Sequence, residues 1–108
     1  FEGTLPELNF GTYHGRSAAT GFGDAIKKAA NAFSQYRQIW NGRFVGGHIT
    51  RTFGDPARNV HAIQLEMTWS TYMPEIRPYA LDTRSVALRE CLKTCLVTAV
   101  KWGAQAAE

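Results

Sequence analysis

The chain has few of the features that mark secreted, membrane or nucleotide-binding proteins. Its only two cysteines, Cys91 and Cys95, form no C-x-x-C pair, so neither a disulfide framework nor a cysteine metal motif is visible. Both read as reduced thiols packed on a helix face. No apolar run approaches the roughly 18 residues of a membrane span, and the opening Phe1-Glu-Gly-Thr-Leu-Pro6 lacks the basic start and apolar core of a signal peptide. A soluble, cytoplasmic protein is therefore expected. The absence of an initiator Met at Phe1 suggests a piece of something longer.

Charge of one sign is also scarce. Twelve Lys and Arg against nine acids leave a net charge of +3, and Lys27-Lys28 is the only adjacent basic pair. Nucleic-acid binding needs a concentrated basic face with interleaved aromatics, which this pattern lacks. The glycines fall into neither G-x-G-x-x-G nor G-x-x-x-x-G-K-[ST], which argues against a nucleotide site. His14, His48 and His61 show no metal-ligand spacing, and Ser17 and Ser85 lack a G-x-S-x-G setting.

What remains is a globular composition, 44% hydrophobic and 19% charged over 108 residues, enough for one domain with a modest core. Leu5-Pro-Glu-Leu-Asn-Phe-Gly-Thr12 reads as a brief strand entering a Gly-rich loop from Tyr13 to Gly23. Asp24 is a plausible N-cap for a helix reaching about Trp40, which Asn41-Gly42 would stop. Arg43-Phe-Val45 and His48-Ile-Thr-Arg-Thr-Phe53 read as extended segments around Gly46-Gly47, and Gly54-Asp-Pro56 as a turn. After an irregular stretch holding Pro74 and Pro78, Asp82 caps a long helix. Its apolar seam is Leu88, Leu92, Cys95, Ala99 and Trp102, widened by Leu96 and Val100.

Val60-His-Ala-Ile-Gln-Leu-Glu-Met-Thr-Trp69 is the most informative stretch, because it reads as a buried strand with an acid in it. Alternation sends Val60, Ala62, Gln64, Glu66 and Thr68 to one face and His61, Ile63, Leu65, Met67 and Trp69 to the other. A buried carboxylate needs either a cation or a chemical task. Arg43 and Arg51 flank the Gly-Gly pair and could bring planar forks near it, as partners of Glu66 or as grips for a ligand carboxylate. His61 reads as a packed core residue, while His14 and His48 lie nearer loops.

Five ordered blocks carry a family resemblance: Leu5-Pro-Glu-Leu-Asn-Phe-Gly-Thr12, Asn41-Gly-Arg-Phe44, Gly46-Gly-His-Ile-Thr-Arg51, Val60-His-Ala-Ile-Gln-Leu-Glu66 and Thr71-Tyr-Met-Pro-Glu75. Together they resemble the C-terminal part of the N-formylglutamate amidohydrolases. The resemblance implies an α/β fold, part of a zinc carboxypeptidase-like three-layer mixed sheet flanked by helices. Residues 1–108 would be the C-terminal portion of one amidohydrolase domain, whose metal-binding N-terminal portion precedes it.

It further implies zinc-dependent hydrolysis of N-formyl-L-glutamate to L-glutamate and formate in histidine degradation, with the zinc ligands upstream of this chain. Glu66 would be the general base, and Arg43, Arg51, Asn41 and Gln64 would bind the substrate. This piece alone would be inactive, its partner being the N-terminal portion. Val45, His48 and Ala18 depart from the commoner lysine, aromatic and cysteine of the family. Two alternatives therefore stand beside it: a related N-acyl-amino-acid deacylase or carboxypeptidase, and a non-catalytic module binding acidic ligands.

Overall fold

The computed structural model describes residues 4–106, so Phe1 lies outside the described residues. Strand β1 (Leu8–Gly11), buried at every position, is the centre of a three-stranded mixed sheet. Strand β2 (Gln38–Trp40) lies parallel to it on one side and β3 (Gln64–Met67) antiparallel on the other. A parallel pair requires a crossover, and helix α1 (Thr20–Asn31) makes it. The short helix α2 (His48–Phe53) follows β2, and the long helix α3 (Arg84–Ala106) closes the fold against α1.

Strand alternation decides which residues become core. Leu8 and Phe10 of β1 join Ile26 and Ala30 of α1 and Leu88, Cys91 and Cys95 of α3 in one buried cluster, against which Leu65 and Met67 pack. Phe10 stacks on Trp40 with ring centroids 4.4 Å apart. The register of β1 with β3, Asn9 opposite Glu66 and Gly11 opposite Gln64, places these four residues on the other face, which neither α1 nor α3 covers. At the edge of the sheet, Arg37 donates to both carboxylate oxygens of Glu7, with its shortest contact 2.8 Å, and ties the start of β2 to the start of β1. These hydrogen bonds hold the Glu7 carboxyl below its ordinary range.

Several expectations hold. The first strand and the cap at Asp82, whose Oδ1 accepts the Arg84 N–H at 2.9 Å, are present, while the turn expected at Gly54–Pro56 falls later, as the 3-10 turn Pro56–Arg58 between the bridged Asp55 and Val60. His61 does pack inward, its ring 5.2 Å from Phe22 and 5.0 Å from Trp102. Its Nδ1 accepts the Ala19 N–H at 3.1 Å, and its Nε2 meets Asn59 Oδ1 at 2.7 Å. His61 thus satisfies the backbone at the start of α1, a position where no side chain caps the helix.

Other expectations are corrected. The first helix starts at Thr20 rather than at an Asp24 cap and ends at Asn31. The Gln38–Trp40 stretch is strand because its backbone pairs with β1 and Trp40 finds Phe10. His48–Phe53 is helix rather than extended: the chain leaves Gly46-Gly47 into a turn closed by Arg51 N–H to Gly47 O at 3.1 Å and Thr50 Oγ1 to Gly47 O at 2.9 Å, which satisfies its backbone internally. The strand expected over 60–69 is regular only at Gln64–Met67, since Ala62 turns aside to bond Ser17 through both its N–H and its C=O. Leu96 and Val100 do not widen the seam of α3; they are 67% and 72% exposed. Nearby, Phe22, Ile63, Leu65, Leu92 and Leu96 line an apolar cavity of about 290 Å³ between the helices and β3.

Two outcomes follow from this core. Leu8 is fully buried, so Leu8→Ala should cost about 2–5 kcal/mol, read as a lower urea midpoint at unchanged m-value in the intact protein. Burial pushes the Cys95 thiol up to about 11 and raises Cys91 as well, so both should resist a thiol reagent at pH 8 until the protein is unfolded. Rapid labelling of the native protein would contradict that packing.

Candidate active site

Glu66 lies on the helix-free face, in register with Asn9, and its side chain is exposed rather than buried as the sequence suggests. The reason is architectural: β3 is an edge strand of the described sheet, and the helices protect only its other face. Glu66 has no ion pair among the described residues, where the carboxylates of Glu7 and Asp82 hold Arg37 and Arg84 instead. Its one side-chain neighbour by hydrogen bonding is Gln64, whose Nε2 lies 3.4 Å from Glu66 Oε1. The other end of that amide is firmly held, because Gln64 Oε1 accepts the Gly47 N–H at 2.9 Å. Gln64 thus links the carboxylate to the loop that follows β2.

That loop is latched by Asn41. With φ of 53° it takes the left-handed conformation that Asn tolerates better than most residues. Its Oδ1 accepts the Thr12 N–H at 2.9 Å and the His14 N–H at 3.2 Å, and its Nδ2 donates to Thr12 Oγ1 at 2.9 Å. The amide of Asn41 is therefore occupied in joining the ends of β1 and β2. Beyond it, the chain crosses the helix-free face so closely that a Cβ on Gly11 would stand 2.6 Å from the Val45 carbonyl carbon.

Arg51 emerges from α2 beside this crossing. Its Nε donates to Gly46 O at 3.2 Å, and its Cζ lies 4.7 Å from the centre of the Tyr13 ring. Arg43 is exposed on the loop, its guanidinium 5.8 Å from the Phe44 ring. The structure therefore brings Arg51, Gly47, Gln64 and Glu66 into one chain of contacts, whereas Arg43 makes no hydrogen bond to any of them among the described residues. Tyr13 is a neighbour that motif reading missed, since stacking between a loop tyrosine and a distant arginine leaves no spacing signal.

Asn9 is a second such residue. It is 2% exposed, its Nδ2 donates to Pro6 O at 2.8 Å, and its Oδ1, like Thr68 Oγ1, is buried without a partner among the described residues. His14 and His48 are exposed and stay apart from Glu66 in the hydrogen-bond network. Among the described residues no group of three His, Cys, Asp or Glu could hold a metal ion. No described helix is long and apolar enough to cross a membrane.

This arrangement can be set beside known proteins. The chain is 39% identical over 106 residues to an N-formylglutamate deformylase of Pseudomonas putida, and 38% identical over 104 residues to one of Pseudomonas aeruginosa. These matches cover 97% and 95% of this chain, yet the chain spans only 40% and 39% of the length of those relatives. A crystal structure of N-formylglutamate amidohydrolase from Ralstonia eutropha JMP134 superposes with a TM-score of 0.81 at 18% identity. That superposition covers 98% of this chain and 37% of the other, and it establishes the small α/β fold. The family profile for N-formylglutamate amidohydrolase matches residues 1–73, and the chain belongs to that family.

Proposed function

We propose that this chain is the C-terminal portion of an enzyme that hydrolyses N-formyl-L-glutamate to L-glutamate and formate, with Glu66 as its general base. The observation that carries the assignment is the state of Glu66: a carboxylate without a cation partner among the described residues, on the helix-free face, tied through Gln64 to the Gly47 amide beside Arg51. A carboxylate neutralised by an arginine would be a poorer base, because the cation stabilises its charged form. Here Glu66 is free to take a proton from the attacking water as the new C–O bond forms. It then returns that proton to the departing amine as the C–N bond breaks.

Arg51 would hold a substrate carboxylate, with Arg43 reaching the other from the exposed loop. Gln64 would orient Glu66. Asn41 would serve the site by holding the loop, since its own amide is already spoken for. The described residues do not themselves form a zinc site. The zinc we propose for the whole enzyme would draw its ligands from the N-terminal portion, the partner of this chain in a zinc carboxypeptidase-like sheet. Without that portion the chain would be inactive. We place the reaction in cytoplasmic histidine degradation.

In the full-length enzyme, Glu66→Gln should lower kcat by about 10²–10⁴ while zinc content and KM stay near normal. Near-normal turnover would remove Glu66 from the mechanism, and loss of zinc would recast it as a ligand. Side-by-side kcat/KM values for N-formyl-, N-acetyl- and N-succinyl-glutamate should rank the formyl substrate first. A preference for either larger acyl group would move the enzyme to the related N-acyl-amino-acid deacylases.

A further inference from the structure

We propose that Tyr13 is a positioning residue for Arg51, and that Tyr13, Arg16 and Arg51 together form a platform for one carboxylate of the substrate. The inference rests on the reading of this face as a substrate site and deepens it. Two guanidinium groups share one aromatic ring: the Cζ of Arg16 lies 5.3 Å from the Tyr13 centroid and that of Arg51 lies 4.7 Å from it. The two cations therefore stand within about 10 Å of each other. Neither has an ion pair with a carboxylate among the described residues. A carboxylate that reached both would gain two charge-assisted contacts.

The ring is held as a platform should be. The Tyr13 N–H donates to Val45 O at 2.7 Å, and Tyr13 O accepts the Arg16 N–H at 3.1 Å, so the same short turn places the tyrosine and the first arginine. Tyr13 sits at φ of 49°, followed by His14 at 53° and Gly15 at 82°. A left-handed backbone is unfavourable for a bulky aromatic residue and persists where its surroundings enforce it. Arg51 is fixed at a second point, because its Nε donates to Gly46 O while its terminal nitrogens have no protein acceptor among the described residues. A planar fork pinned at its root and along its face is pre-organised for a carboxylate, which an unstacked surface arginine is not.

Two measurements on the full-length enzyme test this: steady-state kinetics with N-formylglutamate, and calorimetric titration with glutarate, which carries carboxylates but no scissile bond. Tyr13→Phe keeps the ring and should leave KM and glutarate affinity within about twofold of the parent. Tyr13→Leu should weaken both by roughly fivefold with kcat little changed, and Arg16→Gln should act in the same direction. Unchanged glutarate affinity in Tyr13→Leu, or an equal loss in Tyr13→Phe, overturns the platform. Should Tyr13→Leu fail to fold, Arg16→Gln and Arg51→Lys decide, since normal glutarate affinity in both also overturns it. A protein that fails to hydrolyse N-formylglutamate yet loses glutarate affinity in these variants would refute the proposed activity and leave the platform standing.

Discussion

The site depends on one close approach, the passage of the Val45 backbone over Gly11. Any side chain at position 11 would occupy the space of the Val45 carbonyl, so the loop after β2 could not rest on the sheet. Once it does rest there, Val45 O receives the Tyr13 N–H and Gly46 turns the chain at φ of 124°. A Cβ on Gly46 would meet Thr50 Oγ1 at 2.5 Å, which couples the turn to the buried Thr50 of α2. Gly47 then meets Gln64, and Arg51 meets both Gly46 and Tyr13. The polar constellation is thus assembled by backbone proximity, with side chains completing it.

The two faces of the sheet divide the work. On one, Leu8, Phe10, Leu65 and Met67 pack with the helices and supply the apolar burial that stabilises the fold. On the other, position by position in the same strands, stand Asn9, Gly11, Gln64 and Glu66. Glu66 is exposed and so can go without a cation among the described residues, whereas a buried carboxylate would need a partner. Two buried oxygens, Asn9 Oδ1 and Thr68 Oγ1, have no hydrogen-bond donor among the described residues. Both belong to residues flanking Glu66 in the sheet lattice, so polar demand there exceeds what the described residues supply.

Much of this was legible in the sequence, and the failures have physical causes. Period-two alternation assigned Leu65 and Glu66 to opposite faces, and heptad-like spacing found the buried seam from Leu88 to Cys95. Alternation does not say whether a face is covered, so the exposure of Glu66 could not be read from it. The Gln38–Trp40 strand was hidden because tertiary pairing with β1, not local pattern, determines its conformation. His48–Phe53 read as extended from its place after Gly46-Gly47, but the segment pairs with no strand among the described residues and closes its hydrogen bonds within a helical turn. Strand alternation and the Gly-Gly flanks singled out Glu66 and Arg51, and the family resemblance suggested their roles, while the link between them through Gln64, Gly47 and Gly46 needed coordinates.

The uncovered apolar ground beside α3 has a practical consequence. Leu96, Val97 and Val100 face solvent next to the cavity under β3, and the outer edge of that strand has no hydrogen-bonded neighbour among the described residues. Bare strand edges and contiguous greasy surface are what drive polypeptides to stick to their own kind. Prepared by itself, this stretch of polypeptide would call for a solubilising fusion or co-expression with whatever shields that flank.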